Sequence, residues 1–186
     1  MHFFDKLPIE INDRIFLLLS WDILHETREL QSNYVKYVTA YKTMQESAKN
    51  GNLPNIKWLY KTFNSLEYWN EDVFTNATRN GNLVNIKWLF IHGCPWNEET
   101  FAYAAFYGNL SIMKWLFLHG CPWDENTFMA AALNGNLVNM KWLLLFDCPW
   151  NHYTFEYAIK NGNPNNLNWL FKNKCPQIIL LHQFPY

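Results

Sequence analysis

The chain lacks several features that would point to particular classes of protein. It carries 15 basic and 16 acidic side chains and a formal net charge of −1, so no overall charge attracts it to nucleic acid or to an anionic membrane. No apolar run approaches the ~18–20 residues that a membrane-spanning helix requires. The opening residues, Met-His-Phe-Phe-Asp-Lys, lack the basic stretch and apolar segment of a secretory signal. These absences predict a cytoplasmic protein without membrane partners.

Cysteine is also scarce. The four cysteines are Cys94, Cys121, Cys148 and Cys175. Each precedes a proline, and the interval from one cysteine to the next is constant. Equivalent positions of stacked helical repeats lie roughly 8–10 Å apart, which is too far for a disulfide or for a shared tetrahedral zinc ion. We therefore expect reduced thiols that fill small apolar sites at a recurrent turn, with no metal bound.

Repetition is what the chain has in abundance. The motif Gly-Asn-Leu-x-x-x-Lys-Trp-Leu occurs at Gly51, Gly81, Gly108 and Gly135, and returns in altered form at Gly162. The last four of these glycines are evenly spaced, at the same interval as the cysteines. Self-similarity at this period of about 27 residues predicts a solenoid, in which each unit packs only on its neighbours.

Residues 97–123 illustrate how one repeat forms two helices. Asn97 is a good N-cap for the first helix, and acidic residues follow it where the helix dipole favours them. Gly108 ends that helix, Asn109 caps the next, and Pro122 prevents continuation. The chain holds five such units, which predicts an all-α array of helix–turn–helix repeats.

The repeat resembles the ankyrin repeat, whose second half reads Gly-His-x-Glu-Val-Val-Lys-Leu-Leu-Leu-x-x-Gly-Ala-Asp. The matching positions in one repeat are the paired alanines Ala104 and Ala105, then Gly108, Lys114, Leu116 and Gly120. The Gly-Cys-Pro-Trp ending is similar to shortened arrays that abound in large DNA viruses of amoebae. The resemblance implies a non-enzymatic protein-binding scaffold over residues 39–186, located in the host cytoplasm if the chain is viral. We expect its apolar C-terminal end to form a partial cap.

The resemblance departs from the family in one respect that bears on binding. The usual ankyrin unit has about 33 residues, and this one is six residues shorter in the connection that normally forms the β-hairpin finger. The Thr-Pro-Leu-His motif is absent as well. We therefore expect an ankyrin-like solenoid without fingers, in which the first helices of the repeats form the concave binding face.

Positions that vary between repeats on the first helices are the best candidates for partner contact. The variable residues of the middle repeats are mainly apolar and aromatic, and charged residues stand in the repeats on either side of them. This is a typical layout for a protein interface. The predicted partner-binding residues are Arg79, Ala102, Phe106, Tyr107, Met129, Leu133, Asn134 and Lys160.

The N-terminal segment, residues 1–38, lies before the repeats. Its opening Leu-Pro-x-Glu-Ile, followed by Ile-Phe-x-x-Leu, resembles the F-box, whose apolar stripe docks on the Skp adaptor of cullin-type ubiquitin ligases. The resemblance implies adaptor contact by Leu7, Pro8, Ile11, Ile15, Phe16 and Leu19. The alternative is a helical cap on the first repeat of a simple binding scaffold with no ubiquitin role.

Three recurrent residue types are also found in other kinds of functional site. The lysines at one position per repeat, Lys57, Lys87, Lys114 and Lys141, predict a solvated face rather than a nucleic-acid groove. The His-Gly-Cys pairs lack the orienting group and oxyanion donors that nucleophilic catalysis needs, so we expect no catalytic residue and no cofactor. The recurrent tryptophans predict packing between repeats. We expect a monomer.

Overall fold

The computed structural model describes residues 28–63 and 69–176. Those ranges contain ten α-helices and no strand. The helices are α1 Arg28–Lys49, α2 Leu53–Phe63, α3 Glu71–Asn80, α4 Leu83–Ile91, α5 Glu98–Phe106, α6 Leu110–Leu118, α7 Glu125–Asn134, α8 Leu137–Leu145, α9 His152–Asn161 and α10 Pro164–Lys172. They form five helix–turn–helix pairs, and the predicted all-α array is confirmed.

Three predictions fall wholly or partly outside the described residues. The six residues predicted to contact an adaptor lie in residues 1–27, and the predicted C-terminal cap lies in residues 177–186. The expected boundary between residues 38 and 39 falls inside α1, which runs without interruption from Arg28 to Lys49. The division into two domains therefore stays a prediction.

Asparagine and aspartate side chains cap the starts of the helices that follow α1. At the start of α5 the backbone N–H of Thr100 donates to Asn97 Oδ1 at 3.2 Å, and the N–H of Asn97 donates back to Thr100 Oγ1 at 3.4 Å. Asn70, Asp124 and Asn151 accept backbone N–H bonds at the starts of α3, α7 and α9. Each satisfies backbone donors that a helix end leaves unpaired.

Glycine ends the first helix of a repeat where the next repeat comes closest. Gly135 follows α7 with φ +82°, a left-handed conformation that glycine adopts without strain. A Cβ at this position would collide with the side-chain amide of Asn161. That amide donates to Leu133 O at 3.1 Å, so it ties the C-terminus of α9 to that of α7. The small glycine makes this link between repeats possible.

The core is a stack in which similar buried residues recur from repeat to repeat. Phe101, Ala104 and Ala105 lie on one face of α5 by their i, i+3, i+4 spacing, and all three are fully buried. The first helices pack directly on the first helices of adjacent repeats, because the alanines let the backbones approach. Phe74 and Phe128 are the buried phenylalanines of the neighbouring repeats.

Tryptophans form a half-buried edge along this stack. The Trp of each Cys-Pro-Trp turn lies against the tryptophan on the second helix of the next repeat. The rings of Trp96 and Trp115 meet edge-on with centroids 6.1 Å apart, as do those of Trp123 and Trp142 at 5.9 Å, whereas the rings of Trp150 and Trp169 are tilted at 6.4 Å. These rings pack against the core while staying partly exposed. The predicted packing of these tryptophans between repeats is confirmed, although the rings lie at the edge of the core rather than in its interior.

Candidate protein-binding groove

The first helices of the array line a groove of about 650 Å³. Its lining comes from α3, α5, α7 and α9 and from the residues that cap α5 and α7. The lining residues are Arg79, Asn97, Glu98, Glu99, Ala102, Tyr103, Phe106, Tyr107, Asp124, Asn126, Met129, Ala130, Leu133 and Tyr157. We refer to this site as the first-helix groove.

Six of the eight predicted partner-binding residues line the first-helix groove. These six are Arg79, Ala102, Phe106, Tyr107, Met129 and Leu133. Lys160 lies beside it, with Nζ 4.4 Å from the ring centroid of the lining residue Tyr157. Asn134 follows Leu133 at the end of α7 and lies against Gly108 of the preceding repeat. The structure thus brings these residues together, and their role in binding stays a prediction.

The position of Asn134 in the repeat has a structural use elsewhere in the array. Asn80 Nδ2 donates to Lys49 O at 3.2 Å, and Asn161 donates to Leu133 O as described above. Both amides fasten one repeat to the carbonyls at the end of the previous first helix. Asparagine at this position therefore links adjacent repeats in at least two places. A structural role of this kind makes Asn134 the weakest candidate for partner contact among the eight predicted residues.

The aromatic part of the groove was only half anticipated from the sequence. Phe106 is 39% exposed and its ring meets that of Tyr107 edge-on at 5.1 Å. Tyr103, one helical turn earlier, stacks on Tyr107 at 6.2 Å. Tyr103 and Tyr157 were missed, although the spacing of Tyr103 four residues before Tyr107 places both on one helix face.

Opposite charges stand at the two ends of the groove. Glu98, Glu99 and Asp124 are at the N-terminal ends of α5 and α7, whereas Arg79 ends α3 with its Cζ 5.7 Å from the Tyr107 ring. In the part of the chain that the structure describes, the single salt bridge joins Lys49 and Glu46 at 3.9 Å. None of the charged residues that line the groove therefore forms a salt bridge within this part of the chain.

The cysteines contribute no nucleophile at neutral pH. Burial raises the pKa of the Cys121 thiol from 9.0 to about 12, and the Glu98 carboxylate adds to the shift. The pKa of the Cys94 thiol is raised even further by burial. Cys121 Sγ instead donates to Asn97 O of the preceding turn at 3.6 Å, and Cys94 Sγ donates to Asn70 O at 3.5 Å. All four cysteines are buried, which agrees with the prediction that they fill small apolar sites.

The histidines close helices rather than activate thiols. His119 Nδ1 lies 2.7 Å from Trp115 O, and its ring stacks on the Trp115 indole at 4.0 Å. His92 repeats both contacts with Trp88, at 2.8 and 3.9 Å. Over residues 28–63 and 69–176 there is no cluster of three or more His, Cys, Asp or Glu side chains placed to hold a metal ion. Across the same ranges, every helix is too short or too polar to span a bilayer.

The raised thiol pKa predicts that the folded protein becomes less stable at alkaline pH. Below pH 9 both states keep the Cys121 proton, but above it the unfolded chain releases the proton while the folded chain retains it up to about pH 12. Raising the pH from 8 to 10 is expected to cost about 1 kcal/mol through this thiol. Urea denaturation at pH 8 and pH 10 measures the loss of unfolding free energy between the two. This loss should be smaller for Cys121→Ala than for the unsubstituted chain, and an equal loss would contradict a raised pKa of the Cys121 thiol.

Comparison with known proteins agrees with the architecture. Residues 101–178 match the family model for ankyrin repeats, with 3 copies. A search of curated proteins found no match. The match begins at Phe101, so it does not bear on residues 1–38. It is a match to ankyrin repeats in general and does not bear on the viral arrays that the Gly-Cys-Pro-Trp motif resembles. Residues 101–178, which include most of the groove, are therefore similar to ankyrin repeats, and such repeats indicate a protein–protein interaction module.

Proposed function

We propose that the first-helix groove binds a segment of a protein partner, in a monomer that works in the cytoplasm. The observation that carries the proposal is the convergence of repeat-variable residues on one concave site. Phe106 and Tyr107 are large aromatic side chains that remain about two-fifths exposed, at 39% and 41%. Partly exposed aromatic anchors flanked by charges are typical of interface cores and rims.

The charge arrangement favours an orientation for the bound segment. A partner with a basic residue near Glu98 and Asp124 and an acidic residue near Arg79 would complement both ends of the groove. Its apolar side chains would then lie over Met129 and Leu133, which the fold leaves only partly buried.

A displayed peptide library tests this proposal even though the partner is unidentified. Peptides selected on the unsubstituted protein are expected to lose at least tenfold in affinity with Phe106→Ala, because truncating an aromatic anchor typically costs more than ~1.4 kcal/mol. Affinity would be measured by fluorescence anisotropy of synthetic copies.

Phe171→Ala is the matched control, since Phe171 is an exposed phenylalanine on α10 away from the groove. Selected peptides should bind this variant with unchanged affinity. Peptides that bind both variants equally well would place the binding site elsewhere and overturn the proposal.

The F-box-like start of the chain supports a second proposal. We infer that the segment Leu-Pro-x-Glu-Ile beginning at Leu7 contacts a Skp-type adaptor, so that the array recruits a target to a cullin-type ubiquitin ligase. Support comes from sequence alone, because residues 1–27 lie outside the described structure. The rival is a simple binding scaffold capped by the same segment.

Adaptor binding separates these two roles. Purified full-length chain is expected to bind a Skp-type adaptor in a calorimetric titration, and Leu7→Ala with Pro8→Ala should abolish the signal. Circular dichroism would verify that the doubly substituted chain keeps its helices. An unsubstituted chain that fails to bind, or a variant that binds equally well, would leave the scaffold role.

A further inference from the structure

The second helices carry a charge pattern that the overall composition hides. The segments α2, α4, α6, α8 and α10 contain six lysines and no carboxylate. The six are Lys57, Lys61, Lys87, Lys114, Lys141 and Lys172. Carboxylates concentrate on the first helices and their caps, with Asp147 in the turn after α8. One side of the described array is therefore cationic even though the formal charge of the chain is −1.

Large aliphatic side chains share the exposed surface with these lysines. Val84, Lys87 and Ile91 follow the i, i+3, i+7 spacing that places side chains on one helix face, and all three are exposed. Ile91 is 76% exposed, and its counterparts Leu118 and Leu145 are 78% and 73% exposed. Exposed rows of this kind on a monomer mark interaction sites.

Aromatic contacts join successive second helices, so residues at equivalent positions on them recur in rows along the array. Phe90 on α4 meets Trp115 on α6 at 5.4 Å, and Phe117 on α6 meets Trp142 on α8 at 5.6 Å. We define the lysine–aliphatic face as one row of lysines and one row of aliphatic residues along these helices. Its members are Lys57, Lys87, Lys114 and Lys141 in the first row, and Ile91, Leu118 and Leu145 in the second.

The aliphatic row is bounded at both ends. The positions that continue it are exposed lysines, Lys61 on α2 and Lys172 on α10. Three side chains at a repeat spacing of roughly 8–10 Å span about 16–20 Å. Seven residues of an α-helix rise about 10.5 Å, so apolar residues seven apart on a bound helix match this spacing. A finite apolar row with a charged rim fits a short protein segment better than an unbounded lipid surface.

We propose that the lysine–aliphatic face is a second docking surface, and that its occupant is an acidic amphipathic helix of a partner protein. The helix lies along the array, with leucine-type side chains on Ile91, Leu118 and Leu145. Its carboxylates face the lysine row one helical turn away, where the second helices themselves provide no competing acid. The site is separate from the first-helix groove, so both can be occupied together.

A designed peptide supplies the probe. Three heptads of Leu-Glu-Ala-Leu-Glu-Glu-Ala, labelled with fluorescein, would be titrated with the full-length chain and followed by anisotropy. Saturable binding is expected, and Leu118→Glu should weaken it at least about tenfold by placing a charge in the apolar row. Higher salt should weaken binding of the unsubstituted chain, and the same peptide with every Glu replaced by Lys should not bind.

Ile159→Glu is the matched control, because Ile159 is 55% exposed on the first helix α9, away from this face. This variant and Phe106→Ala in the groove should both bind the peptide normally, which separates this inference from the proposed function. An absence of saturable binding, or equal binding by Leu118→Glu and Ile159→Glu, would overturn it. Co-sedimentation with phosphatidylserine-containing vesicles that Leu118→Glu abolishes would assign the face to a bilayer instead. Self-association that is seen in sedimentation velocity and lost in Leu118→Glu would assign the face to a second copy of the chain.

Discussion

Phe128→Ala is expected to lower the free energy of unfolding by about 3–5 kcal/mol. The Phe128 side chain is fully buried in α7, in the middle of the array, and its ring packs on the Trp150 indole at 5.0 Å. Alanine would remove most of this buried area and leave a cavity that the adjacent repeats can only partly fill. Because α7 packs on both α5 and α9, the loss weakens two interfaces between repeats at once.

Urea denaturation followed by tryptophan fluorescence and by circular dichroism measures the effect. Phe171→Ala, which truncates an exposed phenylalanine, should change the midpoint little. Two separated transitions for Phe128→Ala would indicate that the halves of the array unfold independently once their connection is weakened. A loss below about 1 kcal/mol would contradict the structural role given to this ring.

Asn139→Ile is expected to raise the free energy of unfolding by about 1–2 kcal/mol. The Asn139 side chain is fully buried in α8, and neither its Nδ2 nor its Oδ1 has a hydrogen-bond partner among the described residues. The third repeat already carries an apolar residue at this position, because Ile112 is 1% exposed at the same distance from its repeat glycine. Isoleucine would remove two buried polar atoms and add apolar burial, less the strain of its larger volume.

Asn166→Ile provides the contrast within the same chain. Asn166 holds the equivalent position in the last described repeat, but its Nδ2 donates to Gly135 O of the preceding repeat at 2.7 Å. Losing that bond offsets the apolar gain, so the substitution should not stabilise the protein. Thermal and urea unfolding of both variants would measure the difference. Equal stability changes would show that the hydrogen bond does not distinguish the two sites.

The helical framework could be read from the sequence because its signals are local. Asn97 and Gly108 specify where a first helix begins and ends, and the i, i+3, i+4 spacing from Phe101 specifies the face that is buried. Each of these depends on neighbours within a few residues. The constant repeat period then fixes the stacking, because every unit must cover the apolar face of the next.

The groove was less accessible to sequence reasoning because it forms between repeats. The variable positions Phe106 and Leu133 could be assigned to it from their place in the repeat. From the sequence, Glu98 and Asp124 are residues of helix starts, where the helix dipole favours acidic side chains. That they also line a groove depends on how α5 and α7 pack together. Likewise, the net charge of −1 concealed that the second helices carry lysines and no carboxylate.

The links between adjacent repeats also determine how the molecule responds to force. The Asn161 amide joins α9 to α7, and the Asn80 amide joins α3 to α1, so each tie spans one repeat and no more. When the chain is pulled from its ends, a repeat at the edge can detach without disturbing the interior. Each detachment would release one repeat of about 27 residues, which is roughly 90 Å of contour length. Under tension the end-to-end length of the array is expected to increase in a series of short, nearly equal steps, one for each repeat that unfolds.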